Sequence, residues 1–315
     1  MIDPRTAKGD FADLCRIAAD AMGGDNPALL SILEKDYWVT RVLCAIAESH
    51  ADHVVFKGGT SLSKGFGLTQ RFSEDIDLAV NTGDRGEAAR DTLLKAIAES
   101  VADICSLPIT VRQSGKGVHR AVAYAFDAIW AGGELLQPSV LLEIGTRSAL
   151  VPRTTRRLTT LLAAAVPTAA AELPSCELAV LGADRTFVEK LFVVHGFVTR
   201  YLEDAEARSL VRVGRHYYDV DRLLADDTVN ASVGTPAFWE MVTDCDRRSQ
   251  RDFARLHRAP VEFNFAESPA LFPDATTRLA LAREYERDRA LFFGESPSFD
   301  DVLGSLVPIR VRLSR

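Results

Sequence analysis

Residues 54–80 read VVFKGGTSLSKGFGLTQRFSEDIDLAV, and their reading decides the fold. The β-branched and aromatic run Val54, Val55, Phe56 suits a buried strand. Lys57-Gly58-Gly59 ends it, because two glycines let the backbone turn sharply and bring its N–H groups to a ligand with no Cβ in the way. Thr60, Ser61 and Ser63 set hydroxyls beside those N–H groups, and the turn that follows reads as helical, so its positive dipole end suits an anion. Gly58, Gly59, Thr60 and Ser61 are therefore candidates for a phosphate cradle. From Arg71 to Val80 the chain alternates. In a strand, Arg71, Ser73, Asp75 and Asp77 share one face and Phe72, Ile76 and Leu78 the other, with Glu74 alone breaking the pattern.

Two carboxylates at i and i+2 of a strand repel each other unless a divalent cation lies between them. A strand, a Gly-Gly turn and a carboxylate pair on the next strand are the parts of a magnesium–nucleotide site. Two other phosphate motifs fail on the residues. A P-loop needs Gly-Lys-Ser/Thr, but Lys64 follows Ser63 and precedes Gly65; a dinucleotide fingerprint needs a third glycine where Gln70 stands after Gly65-Phe66-Gly67.

Gly-Gly followed by Asp-x-Asp resembles the nucleotidyltransferase signature of the DNA polymerase beta superfamily. More closely, KGGTSL at 57–62 followed by RFSEDIDL at 71–78 resembles the AbiEii/AbiGii-type toxins, including the MenT-like ones. EKDYW at 34–38 and RHYYDVDRL at 215–223 are similar to further segments of that family. The resemblance implies an α+β fold: a polymerase beta-like lobe with a mixed sheet, then a mainly α-helical lobe that closes over the nucleotide. It also implies magnesium-dependent transfer of a nucleoside monophosphate from an NTP to an acceptor hydroxyl, in some members at the tRNA 3′ end, and neutralisation by a separately encoded antitoxin.

Composition sets bounds around this reading. A chain of 315 residues suits two domains, and 47% hydrophobic residues fill sizeable cores. A net charge of −7 argues against bulk attraction to nucleic acid, so RNA contact needs a local basic patch and no DNA partner is expected. Cys15, Cys44, Cys105, Cys176 and Cys245 are scattered, with no Cys-x-x-Cys, which argues against a disulfide framework or structural zinc. With no apolar signal core or membrane span, the expected location is cytoplasmic.

Helical spacing predicts helices over 10–21, 27–49 and 91–105, with Glu34, Lys35 and Asp36 inside the second, where they either form a wet face or brace the lobe. Strands follow over 108–113, 119–126 and 139–145, separated by turns at 114–117 and 131–133. Glu143 is the one charge in the last strand: it either faces water at an edge or, if buried, needs a partner such as a metal, and the polymerase beta superfamily resemblance implies it as the third metal carboxylate. Arg147, Arg153, Arg156 and Arg157 follow in a polar segment read as a lobe boundary, dividing the chain into 1–160 and 161–315, and either a phosphate-backbone patch or a solvated connection. In the helix over 186–203, Lys190 falls inside the apolar arc, and the resemblance implies that it contacts the nucleotide phosphates. A helix over 206–225 sets Arg215 and Asp219 on one face, where the resemblance makes them cleft residues. Ser73, by strand alternation, faces the side of both aspartates, where phosphorylation would crowd the metal site with negative charge. Two alternatives keep the same site: nucleotidylation of a small molecule such as an antibiotic, and nucleotide binding without turnover, although a binding module needs no second carboxylate.

Overall fold

The Val54–Phe56 run opens β1 (Val54–Lys57), a central strand of a seven-stranded mixed sheet. The structure is a computed structural model and describes residues 2–24, 28–73, 75–130, 136–204, 209–294 and 296–315. Pro27, Glu74, Glu206 and the turn at 131–133 lie outside the described residues. Two compact units emerge, one of residues 1–67 and 72–181, the other of residues 68–71 and 182–315.

In the first unit α1 (Lys8–Ala21) and α2 (Leu29–His50) precede β1, and α3 (Gly58–Lys64) begins directly at the Gly-Gly pair. β2 (Asp75–Val80), α4 (Glu87–Cys105), β3 (Ile109–Gly115), β4 (His119–Ala125) and β5 (Ser139–Gly145) follow. Next come β6 (Arg153–Thr159), α5 (Leu161–Ala165) and β7 (Ser175–Leu181). The strand order is β3-β4-β5-β2-β1-β7-β6, with β1 antiparallel to β2 and parallel to β7, and β2 parallel to β5. One sheet face, with Ile76, Leu78, Val122, Leu142, Ile144 and Val180, packs on α2 and α4 through Leu33, Tyr37, Val42, Leu94 and Ile97. Each fully buried aliphatic side chain there contributes about 1.5–3 kcal/mol.

Helix α2 is buried almost all round, and its charged triplet is not a wet face: Glu34, Lys35 and Asp36 are 1%, 3% and 4% exposed. Asp36 pairs with Lys64 of α3 at 2.7 Å and accepts the Leu161 N–H at 2.7 Å, while Lys64 also donates to Thr40 and to the Thr159 carbonyl. Glu34 accepts the N–H groups of Ile129 and Trp130, although burial pushes its carboxyl up. Asp36 thus braces α3 and the start of α5, and Glu34 the loop at 129–130, from inside the unit. The arginine- and threonine-rich segment is no linker but the edge strand β6, paired antiparallel with β7. Because β7 also pairs with β1, residues 161–181 belong to the first unit and the division falls after Leu181, not after residue 160.

The second unit holds α6 (Ala183–Glu203), α7 (Gly214–Leu224), α8 (Asp227–Ser232), α9 (Pro236–Phe253), α10 (Ala275–Asp288) and α11 (Phe299–Leu306). Buried Phe187, Leu191, Val194, Tyr217, Val220 and Tyr285 form its interior. Helix α7 starts later than its spacing predicts, at Gly214, where a Cβ would lie 2.5 Å from the Tyr285 Cα. Residues 68–71 join this unit: the Gln70 N–H donates to the Tyr218 hydroxyl and Arg71 forms a bridge with Phe292. Among the described residues no helix is long and apolar enough to cross a membrane, and all five cysteines are free.

Candidate active site

Strand β2 delivers Asp75 and Asp77 to the sheet face opposite the main core, because Ile76 and Leu78 take the buried side. Register then sets Lys57 of β1, Asp77 of β2, Glu143 of β5, Ala121 of β4 and Gln113 of β3 side by side in one row. Asp75 lies two residues from Asp77 and faces the same way. The row opens into a pocket lined by Lys57, Asp77, Gln113, His119, Glu143 and Ser148. Glu143 is exposed on its strand, yet its carboxyl is pushed up, by partial desolvation first and then by the charges of Asp77 and Asp75, with Lys57 opposing them. The three acids therefore feel one another's field, which is the charge arrangement a hard divalent cation would relieve. No group of three or more His, Cys, Asp or Glu side chains among the described residues is already arranged to hold a metal ion. Asp75, Asp77 and Glu143 share one sheet face by strand register, and their carboxylate oxygens are the donor type a hard divalent cation takes.

The Gly-Gly turn is fitted to Asp77. Gly58 has φ +79°, and a Cβ there would lie 2.3 Å from the Asp77 Oδ2. The Thr60 hydroxyl donates to the Asp75 carbonyl at 2.5 Å, which ties α3 to the first residue of β2, and the Ser61 hydroxyl donates to the Gly58 carbonyl at 2.8 Å. Thr60 and Ser61 are both buried, and their hydroxyls are spent on these internal bonds. Gly58→Ala should cost about 1–3 kcal/mol through backbone strain and, by displacing Asp77, slow turnover about 10²-fold. Melting curves and initial rates check this; an alanine variant with wild-type turnover would show that the close approach of turn and carboxylate does not matter.

The other expected site residues group in the second unit. Arg71 does not share the strand face of the aspartates. It binds Asp219 in a bidentate pair, Nε to Oδ1 at 2.6 Å and Nη2 to Oδ2 at 2.8 Å, and Lys190 reaches the same Oδ2 at 2.8 Å. Asp219 has no exposed surface, so it is not an open cleft residue, whereas Arg215 of the same helix is half-buried. Burial alone would raise the Asp219 carboxyl, but the charges and hydrogen bonds of Arg71 and Lys190 overcome it and hold it well below the usual carboxylate range. Burial pulls the Lys190 ammonium down, as does Arg71, despite the attraction of Asp219. With two cations flanking one carboxylate, Asp219 is ionised. Lys190 also contacts the His216 Nδ1 at 3.1 Å, and the Arg215 N–H donates to Asp288.

Strand alternation cannot reach Ser73, because β2 begins at Asp75; the Ser73 carbonyl accepts from the Thr60 hydroxyl at 3.4 Å. Local sequence reading missed Lys57, Gln113, His119 and Ser148 as pocket residues. The position of Lys57 just before Gly-Gly is a usable signal; nothing local marks the other three.

A profile of the AbiEii nucleotidyl transferase toxins of type IV toxin–antitoxin systems matches residues 41–305. Among solved structures, MenT4, a nucleotidyltransferase toxin from Mycobacterium tuberculosis H37Rv, is similar over 95% of this chain and 96% of its own. Its TM-score is 0.53 and its sequence identity 17%, a likeness of fold. No curated protein matches. The family match spans the Gly-Gly turn, all three carboxylates and the buried Asp219 cluster, and the chain accordingly belongs to the AbiEii family of nucleotidyltransferase toxins.

Proposed function

We propose that this toxin transfers a nucleoside monophosphate from an NTP to the hydroxyl at a tRNA 3′ end, in a magnesium-dependent reaction that releases pyrophosphate, and that a separately encoded antitoxin neutralises it. The observation that carries the reading is the row of Lys57, Asp77 and Glu143 with Asp75 on the same face. Magnesium held by Asp75, Asp77 and Glu143 would neutralise triphosphate charge and make the acceptor hydroxyl more acidic. Glu143, next to Asp77 in that row, takes the hydroxyl proton as the new bond to the α-phosphorus forms and the bond to pyrophosphate breaks. Gly58 and Gly59 let the chain approach the β and γ phosphates, and Thr60 and Ser61, buried behind them, complete the turn.

In the second unit Lys190 is assigned to the phosphates on the strength of the family resemblance. Asp219 acts as its positioning residue, fixing the ammonium at 2.8 Å, and Arg215 is assigned to the base or acceptor side on the same resemblance. Incubating the protein with each α-labelled NTP and bulk tRNA tests the reading. Label in tRNA with magnesium, and none with EDTA, is the expected result. Label in an added aminoglycoside but not in tRNA would overturn the acceptor, and equal labelling in EDTA would overturn the metal.

A further inference from the structure

We infer that the depression beside Glu143, floored by Ala121 and Gly145 and bounded by Gln113, His119 and Ser148, holds the terminal nucleoside of the acceptor. The inference rests on the reading that Glu143 faces the acceptor hydroxyl, and it names the side chains that select that acceptor. Ala121 is the register neighbour of Glu143 on β4, and Gly145 follows two residues later on β5, facing the same way. At these two positions the sheet carries at most a methyl group, so a flat group can lie against the strands beside the carboxylate. Across Ala121 stands Gln113 of β3, an exposed amide. Across Gly145 stands His119, whose own neighbour on β3 is Gly115. A Cβ at Gly115 would lie 2.6 Å from the His119 Cε1 and Nδ1, so glycine there is what lets the imidazole lie over the strand. His119 lines the pocket, and its Nε2 is buried with no hydrogen-bond partner, so the ring is held there by packing alone.

The chemistry of this lining selects among acceptors. Asp77 and Glu143 are its only acids, and both belong to the proposed metal row. A polycationic acceptor such as an aminoglycoside would meet no further carboxylate. A nucleoside would meet an imidazole to stack on, an amide that can pair with a base edge and a serine hydroxyl. Lys57, at the other end of the pocket, favours the anionic character of a nucleotide.

The test uses Gln113→Ala and His119→Ala in the full chain, with initial rates measured against varied bulk tRNA and varied NTP. Gln113 is exposed on an edge strand, so its variant keeps the fold even if His119→Ala does not. Loss of one such contact should raise the KM for tRNA about tenfold and leave the KM for NTP within about twofold of wild type. An unchanged KM for tRNA in Gln113→Ala, or a rise in the KM for NTP instead, would overturn the assignment. Anisotropy of a fluorescent tRNA, without NTP, separates this inference from the reaction on which it rests. Were wild type to transfer nothing, weaker tRNA binding by Gln113→Ala would still support the pocket, and equal binding, or no binding by wild type, would overturn it.

Discussion

Asp219→Asn is expected to destabilise the protein by about 3–5 kcal/mol, the typical cost of leaving buried charges without their partner. Arg71 and Lys190 are 3% and 8% exposed and both point at Asp219, so neutralising the carboxylate leaves two like charges in a space closed to water. Lys190→Met should cost far less, because the bidentate Arg71–Asp219 pair survives. Adding Lys190→Met to Asp219→Asn should recover part of the loss, a coupling that a double-mutant cycle in urea reads directly. The folded carboxyl is held low, so its stabilisation is complete above the unfolded value of about 3.9 and declines as the pH falls below that towards the folded value. The Asn variant should lack this acid-dependent part of the loss. A cost under about 1 kcal/mol, the range of an exposed pair, would remove the cluster as a foundation of the second unit.

Asp77→Asn is expected to lower transfer about 10²–10³-fold or more while leaving the melting temperature equal or slightly higher. Activity falls because Asp77 occupies the centre of the row, between Lys57 and Glu143 and against the Gly58 backbone. Stability does not fall, because removing one of several neighbouring negative charges relieves repulsion in the metal-free protein, and the amide keeps the shape against Gly58. Melting well below wild type would recast Asp77 as a structural residue.

The centre of the fold was legible because its signals are local. Two glycines can be read as a turn, Asp-x-Asp as two carboxylates on one face, and a single Glu in an apolar strand as a residue that needs a partner. Glu143 does stand beside Asp77, but exposed on its strand and not buried. What was illegible depended on partners far along the chain. Arg71 fits the alternation of the next strand, yet it leaves that strand for Asp219, 148 residues away. The charged triplet of α2 has the composition of a wet face; only the arrival of Lys64, Ile129 and Leu161 makes its burial tolerable. Strand β6 was hidden because an edge strand needs little apolar surface, and five of its seven residues are exposed. The pocket residues Gln113 and His119 join the site through cross-strand register alone.

The central claim is that the carboxylate row performs nucleotidyl transfer, and the most direct test compares α-labelled with γ-labelled NTP in the presence of acceptor, for wild type and Asp77→Asn. Wild type should attach the α label to the acceptor and release the γ label as pyrophosphate, and Asp77→Asn should attach neither. Attachment of the γ label, or undiminished attachment of the α label by Asp77→Asn, would contradict it.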